Sequence, residues 1–337
     1  MRKYACWGAI AVSVLGACTA AGQSTVNDAA PRFDAAFWEH WGDGRAELSG
    51  YRLRYPRYGE IRSGTAVLIF VTETFSERQR VKVDASSHPA NDQVSVMKLN
   101  AVLDFPTGIY DYNIMTSSFI ALEPRAGRPS GAPMKISFSS QEWCGHVYQQ
   151  LLFDGDGVRT QAHSYFAGEA DQSGALAYPE GGVSADVLWL WARGLAAPEL
   201  QPGESVRRPF LRSLQQARLK HQPVTWGAVT LSRGAETRTV RVPAGEFEAR
   251  VMRAEPTVGP SRTFYVEAAS PHRLVKWERS DGAEGVLLGS ERSKYWRLNH
   301  PEGRAAREKI GLPVETADSE RRNESERRND SGSRTPR

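Results

Sequence analysis

The chain has 337 residues, of which 40% are hydrophobic and 24% charged, and its formal net charge is +4. Arg2 and Lys3 carry two of these charges, and the Arg-rich segment 319–337 carries the other two, so residues 18–318 are neutral. Because residues 18–318 have no excess of positive charge, they lack the basic surface that binds nucleic acid, and nucleic acid is excluded as an expected partner.

The first predicted element is a secretory signal, because an apolar run over residues 4–14 follows two basic residues. The run is too short to cross a bilayer, which takes about 20 apolar residues. The segment Leu15-Gly16-Ala17-Cys18 resembles the lipoprotein box of bacteria, in which the cysteine thiol receives a diacylglycerol and becomes the first residue after cleavage. This resemblance implies a signal peptide over residues 1–17, lipidation of Cys18, and a membrane partner reached through acyl chains.

The residues around the expected domain also bear on its location. Thr19 follows Cys18 where an Asp would favour the inner membrane, so the resemblance implies the outer membrane, facing the periplasm. Residues 18–32 are small and polar and predict a flexible tether. Residues 319–337 contain no apolar residue, and we predict a flexible charged tail over residues 301–337. One domain is therefore expected over residues 33–300.

The domain begins with a predicted short helix, because Phe33, Phe37, Trp38 and Trp41 recur at helical spacing before a glycine. Strand patterns follow. A continuous apolar run predicts a strand buried on both faces at residues 65–72, and alternation predicts strands at residues 80–84, 94–96, 134–138, 239–242 and 247–251. Because turn signals separate these segments, the expected fold class is mainly β. We predict a curved antiparallel sheet or open β-barrel with one or two short helices.

A second helix is predicted at residues 184–194, where a Ser cap, an early Asp, a late Arg and a closing Gly fit the helix dipole. Trp189 and Trp191 alternate with leucines and surround this helix with apolar surface. The helix could fill the interior of the curved sheet as part of the hydrophobic core. Alternatively, it could close a cavity for an apolar ligand such as an acyl chain, bound by Trp189 and Trp191.

The C-terminal half resembles an uncharacterised family of bacterial envelope β-proteins. These proteins share a strand, a VPAG turn and a strand that begins with Phe, followed later by a Pro-x-x-Leu-Val step. The segments that carry the resemblance, after the Ser-capped helix, are 200–204, 240–249, 263–266 and 271–276. The resemblance implies a periplasmic β-protein.

The N-terminal half resembles a group of uncharacterised lipoproteins, some of which are labelled septum formation inhibitor Maf. The segments that carry this resemblance are 37–38, 42–48, 57–60, 64–73 and 139–146. Maf proteins are cytosolic nucleotide pyrophosphatases with an N-terminal Ser-x-Arg-Arg phosphate-binding motif. This chain lacks the motif near its start, so neither resemblance carries over a catalytic residue.

The residue pair best suited to chemistry is Cys144 and His146, since Cys144 is the free thiol left once Cys18 is lipidated. A thiolate paired with an imidazolium is an activated nucleophile. Gly145 between them indicates a bulge that would change their directions, and the alternative is a buried Cys144 packed beside Trp143. Two such ligands are too few for zinc, and no nucleotide or hydrolase motif occurs, so no metal or cofactor is expected.

Together these patterns predict a lipid-anchored cell-envelope protein that acts without catalysis. Its expected role is to bind an apolar or cell-wall ligand, or to assist assembly, with an apolar small molecule as the expected ligand. The alternative is an envelope hydrolase that uses Cys144 and His146.

Overall fold

A computed structural model describes residues 33–84, 87–125, 127–155 and 157–314. The predicted signal peptide, Cys18 and the tether lie outside the described residues, as does the chain beyond residue 314.

Fifteen strands form one sheet, which confirms the predicted mainly β fold. The strands are β1 (Ala46–Arg57), β2 (Glu60–Ser76), β3 (Gln93–Pro106), β4 (Asp111–Ala121), β5 (Pro133–Glu142), β6 (Gly145–Phe153), β7 (Gly157–Ser164), β8 (Gln172–Ala177), β9 (Val183–Ser184), β10 (Ser205–Leu211), β11 (Trp226–Val242), β12 (Gly245–Pro256), β13 (Arg262–Glu267), β14 (Leu274–Arg279) and β15 (Glu284–Ser293). Neighbouring strands are antiparallel except for β9 and β10, which are parallel.

The sheet consists of two meanders joined at β1 and β15. Strands β1 to β8 follow in order on one side, and β15 back to β9 follow on the other. The sheet is rolled, because the Tyr178 ring lies 5.8 Å from that of Phe153 in β6 and 5.6 Å from that of Trp226 in β11. These strands belong to different meanders, and one buried cluster of side chains fills the space between the meanders.

Two predicted strands differ from the structure. In residues 65–72, Leu68 and Phe70 are fully buried, whereas on the opposite face Val71 is buried but Val67 and Ile69 are only half-buried, so that face of β2 is only partly closed to solvent. Residues 80–84 contain no strand: they follow a turn at residues 77–79, Arg80 has a φ of +57°, and Lys82 makes a single isolated bridge to Phe75. The turn brings the Arg80 guanidinium to Glu77 and to the carbonyl of Phe153, contacts that an extended segment would not make.

Short helices connect the strands: α1 (Ala35–Trp41), α2 (Leu188–Ala192) and α3 (Leu214–Lys220), with 3-10 helices at Ala90–Asp92, Ala185–Val187, Tyr295–Arg297 and Pro301–Ile310. The predicted first helix is α1, and α3 was not predicted. Asp34 caps α1 by accepting a 2.9 Å hydrogen bond from the Phe37 amide. Within the described ranges, no helix has the length and apolar character needed to cross a membrane.

The folded chain continues past the expected boundary at residue 300. The 3-10 helix Pro301–Ile310 packs on β1 and β15, and both Ile310 and Leu312 are buried. This helix packs closely against Gly50 and Gly289, which are paired across β1 and β15. A Cβ atom on Gly50 would lie 2.1 Å from the Ile310 carbonyl oxygen, and a Cβ atom on Gly289 would lie 2.8 Å from the Lys309 carbonyl oxygen, so glycines are needed there. The predicted tail over residues 301–337 therefore began too early.

Candidate functional site

The predicted second helix lies inside the rolled sheet. Ser184 caps its first turn, a 3-10 helix, through a 3.3 Å hydrogen bond from the Asp186 amide to the Ser184 hydroxyl. Leu188 and Leu190 are fully buried, as expected of a helix that is apolar on all sides. At its far end the Arg193 guanidinium forms a bidentate pair with Glu47 of β1, at 2.7 and 3.1 Å. The helix is therefore tied to the middle of the sheet.

The two tryptophans predicted to bind ligand line two different cavities. Residues two apart on a helix differ by about 200° in direction, so Trp189 and Trp191 face opposite sides. The Trp189 ring lies 5.7 Å from that of Trp277. Trp191 is fully buried, and its indole N–H donates to the carbonyl of Pro198 at 2.9 Å. The structure does not bring them together in one site.

The cavity beside Trp189, here the Trp189 cavity, is small and charged. Its volume is about 50 Å³, which is room for a few water molecules and too little for an acyl chain. Burial raises the pKa of Asp186 to about 6, although its Oδ2 atom accepts a 2.9 Å hydrogen bond from the Leu214 amide. Burial, followed by the nearby Arg279 charge, lowers the pKa of Arg262 to about 10. Arg262 therefore stays cationic at neutral pH, and its guanidinium donates to the Ala185 carbonyl at 2.7 Å.

The cavity beside Trp191, here the Trp191 cavity, has a volume of about 380 Å³. That volume falls in the range of small-molecule sites, about 300–1,000 Å³. Its walls come from the loop between β4 and β5, the β6–β7 turn, the segment that precedes β9, and α2 with the residues after it. The lining includes three aromatic rings and two arginines: Phe153, Tyr178, Trp191, Arg128 and Arg208.

Charged side chains of both signs line the Trp191 cavity: Arg128 and Arg208, with Asp154 and Glu180. Arg128 is buried and donates to Glu77 at 2.9 Å, and Arg80 donates to the same carboxylate at 2.6 Å. Burial would raise the pKa of Glu77, but the hydrogen bonds from Arg80 and Arg128 outweigh it and lower that pKa. The Glu77 carboxylate thus holds the Arg128 guanidinium in a fixed position beside the apolar lining, and it also binds Arg80, which lies outside the lining. These arginines are far apart in the sequence, and no local motif marked them.

Cys144 and His146 lie at the exposed turn between β5 and β6. Both side chains are exposed, so the alternative of a buried Cys144 is wrong. His146 pairs with Gln141 in the strand ladder, and Gly145 has a φ of +152°. The described side chains of Cys144 and His146 form no hydrogen bond with each other.

The surroundings of Cys144 favour the thiol over the thiolate. The Glu142 carboxylate, which also accepts a 2.8 Å hydrogen bond from the Cys144 amide, raises the pKa of the thiol, and partial desolvation adds to the effect. A nucleophilic cysteine needs the opposite shift. Among the described residues, no group of three His, Cys, Asp or Glu side chains could hold a metal ion.

Comparison with known proteins adds a weak structural similarity. No family model matches the chain, and no curated protein matches it. Among solved structures, it is similar to a beta-barrel-like protein of the domain of unknown function DUF1849 from Brucella abortus. The TM-score is 0.42 at 9% identity, and the similarity covers 73% of this chain and 97% of that one. A similarity at this level carries no argument about function.

Proposed function

We propose that this protein is a lipid-anchored envelope protein that binds a small apolar ligand with an acidic group in the Trp191 cavity. The observation that carries the proposal is the combination of a volume of about 380 Å³, an aromatic lining and two arginines, Arg128 and Arg208, in that lining. Ligand sites have this composition: mostly apolar walls with a few placed polar groups.

The two parts of the cavity suit the two ends of such a ligand. The rings of Phe153, Tyr178 and Trp191 would bury hydrocarbon, worth about 25 cal/mol for each Å² removed from water. In the same lining, a guanidinium offers paired N–H donors that match a carboxylate or phosphate. Glu77 already holds Arg128 in place, so little side-chain entropy would be lost when an anion binds at this guanidinium.

A cavity-filling substitution tests the ligand site. Ala132 lines the Trp191 cavity and is half-buried, so Ala132→Trp places an indole in the ligand's space. With dodecanoate as the probe and calorimetry on the full chain, we expect this variant to bind at least about tenfold more weakly than the parent, a difference of about 1.4 kcal/mol. Native mass spectrometry of the purified parent should show a co-purifying apolar acid.

The matched control is Ala235→Trp, at an exposed position of β11 outside the cavity. It should bind dodecanoate as the parent does. If the parent does not bind dodecanoate, or if both variants bind it equally well, the Trp191 cavity is not the ligand site.

The lipid anchor has its own test. Support for it comes from the segment Leu15-Gly16-Ala17-Cys18, which lies outside the described residues. Cys18→Ser should abolish the mass added by acyl chains and move the protein out of the membrane fraction, because each buried methylene adds about 0.8 kcal/mol of membrane affinity. The control is Cys144→Ser, which removes the exposed thiol and should change neither property. An unchanged mass and unchanged membrane fraction for Cys18→Ser would refute the anchor.

A further inference from the structure

Four hairpin tips of the first meander carry aromatic residues, of which three are exposed and Tyr110 is half-buried. Alternate turns of a meander fall at the same edge of the sheet, and Tyr58, Tyr110, Trp143 and Tyr165 occupy the β1–β2, β3–β4, β5–β6 and β7–β8 turns. Trp143 is 72% exposed, Tyr165 66% and Tyr58 55%. Tyr110 packs against the core, whereas the rings of Tyr58, Trp143 and Tyr165 are exposed beside it, and a group of exposed aromatic rings points to a binding surface.

These four aromatics, here the tip strip, are continuous. The Tyr110 hydroxyl donates to that of Tyr58 at 3.0 Å, and the rings of Tyr110 and Trp143 lie 6.0 Å apart at 30°. Tyr165 lies against the neighbouring β5–β6 turn, since a Cβ atom on Gly145 would be 2.5 Å from its ring. Successive tips are two strands apart, about 10 Å, so the tip strip is about 30 Å long. Its length suits an extended polymer.

A polar groove of about 580 Å³ adjoins the tip strip at Trp143. The polar side chains that line it are Asp104, Asp111, Asn113, Gln141 and Glu142. Glu142 is 93% buried by the surrounding residues, and the Cys144 amide donates to one of its oxygens. Carboxylates accept hydrogen bonds from O–H and N–H groups, and the amides of Asn113 and Gln141 both donate and accept. The tip strip thus offers flat apolar ring faces, and the groove beside it offers many hydrogen-bond acceptors.

From this arrangement we infer that the tip strip and its groove bind an N-acetylated polysaccharide. The C–H faces of sugar rings pack on the electron-rich faces of aromatic rings, and the hydroxyl and acetamido N–H groups match the carboxylates. A bilayer surface fits less well, because Asp104, Asp111 and Glu142 would face the anionic headgroups of the membrane. The site is separate from the Trp191 cavity; only the expected encounter with envelope glycans rests on the proposed function.

The test uses the full chain with Cys18→Ser and the β-1,4-linked hexamer of N-acetylglucosamine as the probe, measured by calorimetry. Trp143→Ala should weaken binding about tenfold, as expected when a central aromatic contact is lost. Trp296→Ala is the matched control, since Trp296 is also exposed, at 45%, and lies outside the groove. It should bind within about twofold of the parent. Asp111→Asn should also weaken binding, while Ala132→Trp should leave it unchanged.

Three results would overturn the inference. The parent could fail to bind the hexamer, or Trp143→Ala could bind it as well as the parent does. The third is co-sedimentation with vesicles of phosphatidylethanolamine and phosphatidylglycerol that Trp143→Ala abolishes, because the tip strip would then be a membrane-docking surface. A parent protein that binds the hexamer but not dodecanoate would refute the proposed ligand site alone.

Discussion

At the scale of single residues, Asp186 is an acid whose pKa is strongly raised by its surroundings. Its carboxyl lies inside the rolled sheet, and its pKa is raised to about 6 by burial. Ordinary aspartates titrate near pH 4, so the folded protein holds this proton more tightly than the unfolded chain does. The stability gained from the proton is therefore complete below about pH 4 and is lost as the pH rises through about 6.

Asp186→Asn should remove this pH dependence. An asparagine keeps an oxygen that can accept the Leu214 amide and carries no charge at any pH. We expect the free energy of unfolding of the parent to fall by about 2 kcal/mol relative to the variant between pH 4 and 7. Urea denaturation across this range measures the difference. Glu39→Gln, at an exposed site in α1, should track the parent, and a variant curve parallel to that of the parent would refute the shift.

At the scale of elements, patterns that depend on neighbouring residues were read correctly. The aromatic spacing before Gly42 predicted α1, and the Ser184 cap with Gly194 predicted the interior helix, because capping and periodicity are local properties. Alternation in residues 80–84 resembled a strand, yet contacts of Arg80 with Glu77 and Phe153 decide the conformation there. Those partners could not be read from a local pattern.

The candidate sites show the same division. The glycine between Cys144 and His146 is typical of a turn, and the structure has an exposed hairpin turn there. The rise that Glu142 causes in the pKa of the Cys144 thiol depends on side-chain placement, which the sequence does not give. Helical geometry alone would have placed Trp189 and Trp191 on opposite faces. The arginines that line the Trp191 cavity, Arg128 and Arg208, come from separate parts of the chain, and no spacing in the sequence links them.

At the scale of the whole molecule, strand patterns do not state which strands are neighbours. The pairing of β1 with β15 joins residues more than 200 positions apart, and it places the two meanders side by side. The C-terminal 3-10 helix then covers this junction at Gly50 and Gly289. The same junction holds the interior helix, since Glu47 of β1 binds Arg193 just after α2.

The buried pair of Glu47 and Arg193 should therefore stabilise the fold as a whole. Both side chains are at most 2% exposed, and Arg193 also donates to the carbonyls of Pro271 and His272. Glu47→Gln leaves a buried guanidinium without a counter-charge, which should cost about 3 kcal/mol of unfolding free energy in urea denaturation.

Two comparison variants separate the charge from other effects of the change. The exposed pair of Arg241 and Glu246 supplies a matched control, in which Glu246→Gln should change the unfolding free energy by less than about 1 kcal/mol. The double variant Glu47→Leu with Arg193→Met removes both charges from the interior and should recover most of the loss, because apolar replacements of a buried pair are often neutral. If Glu47→Gln costs no more than Glu246→Gln, the interior helix is held by its apolar packing alone.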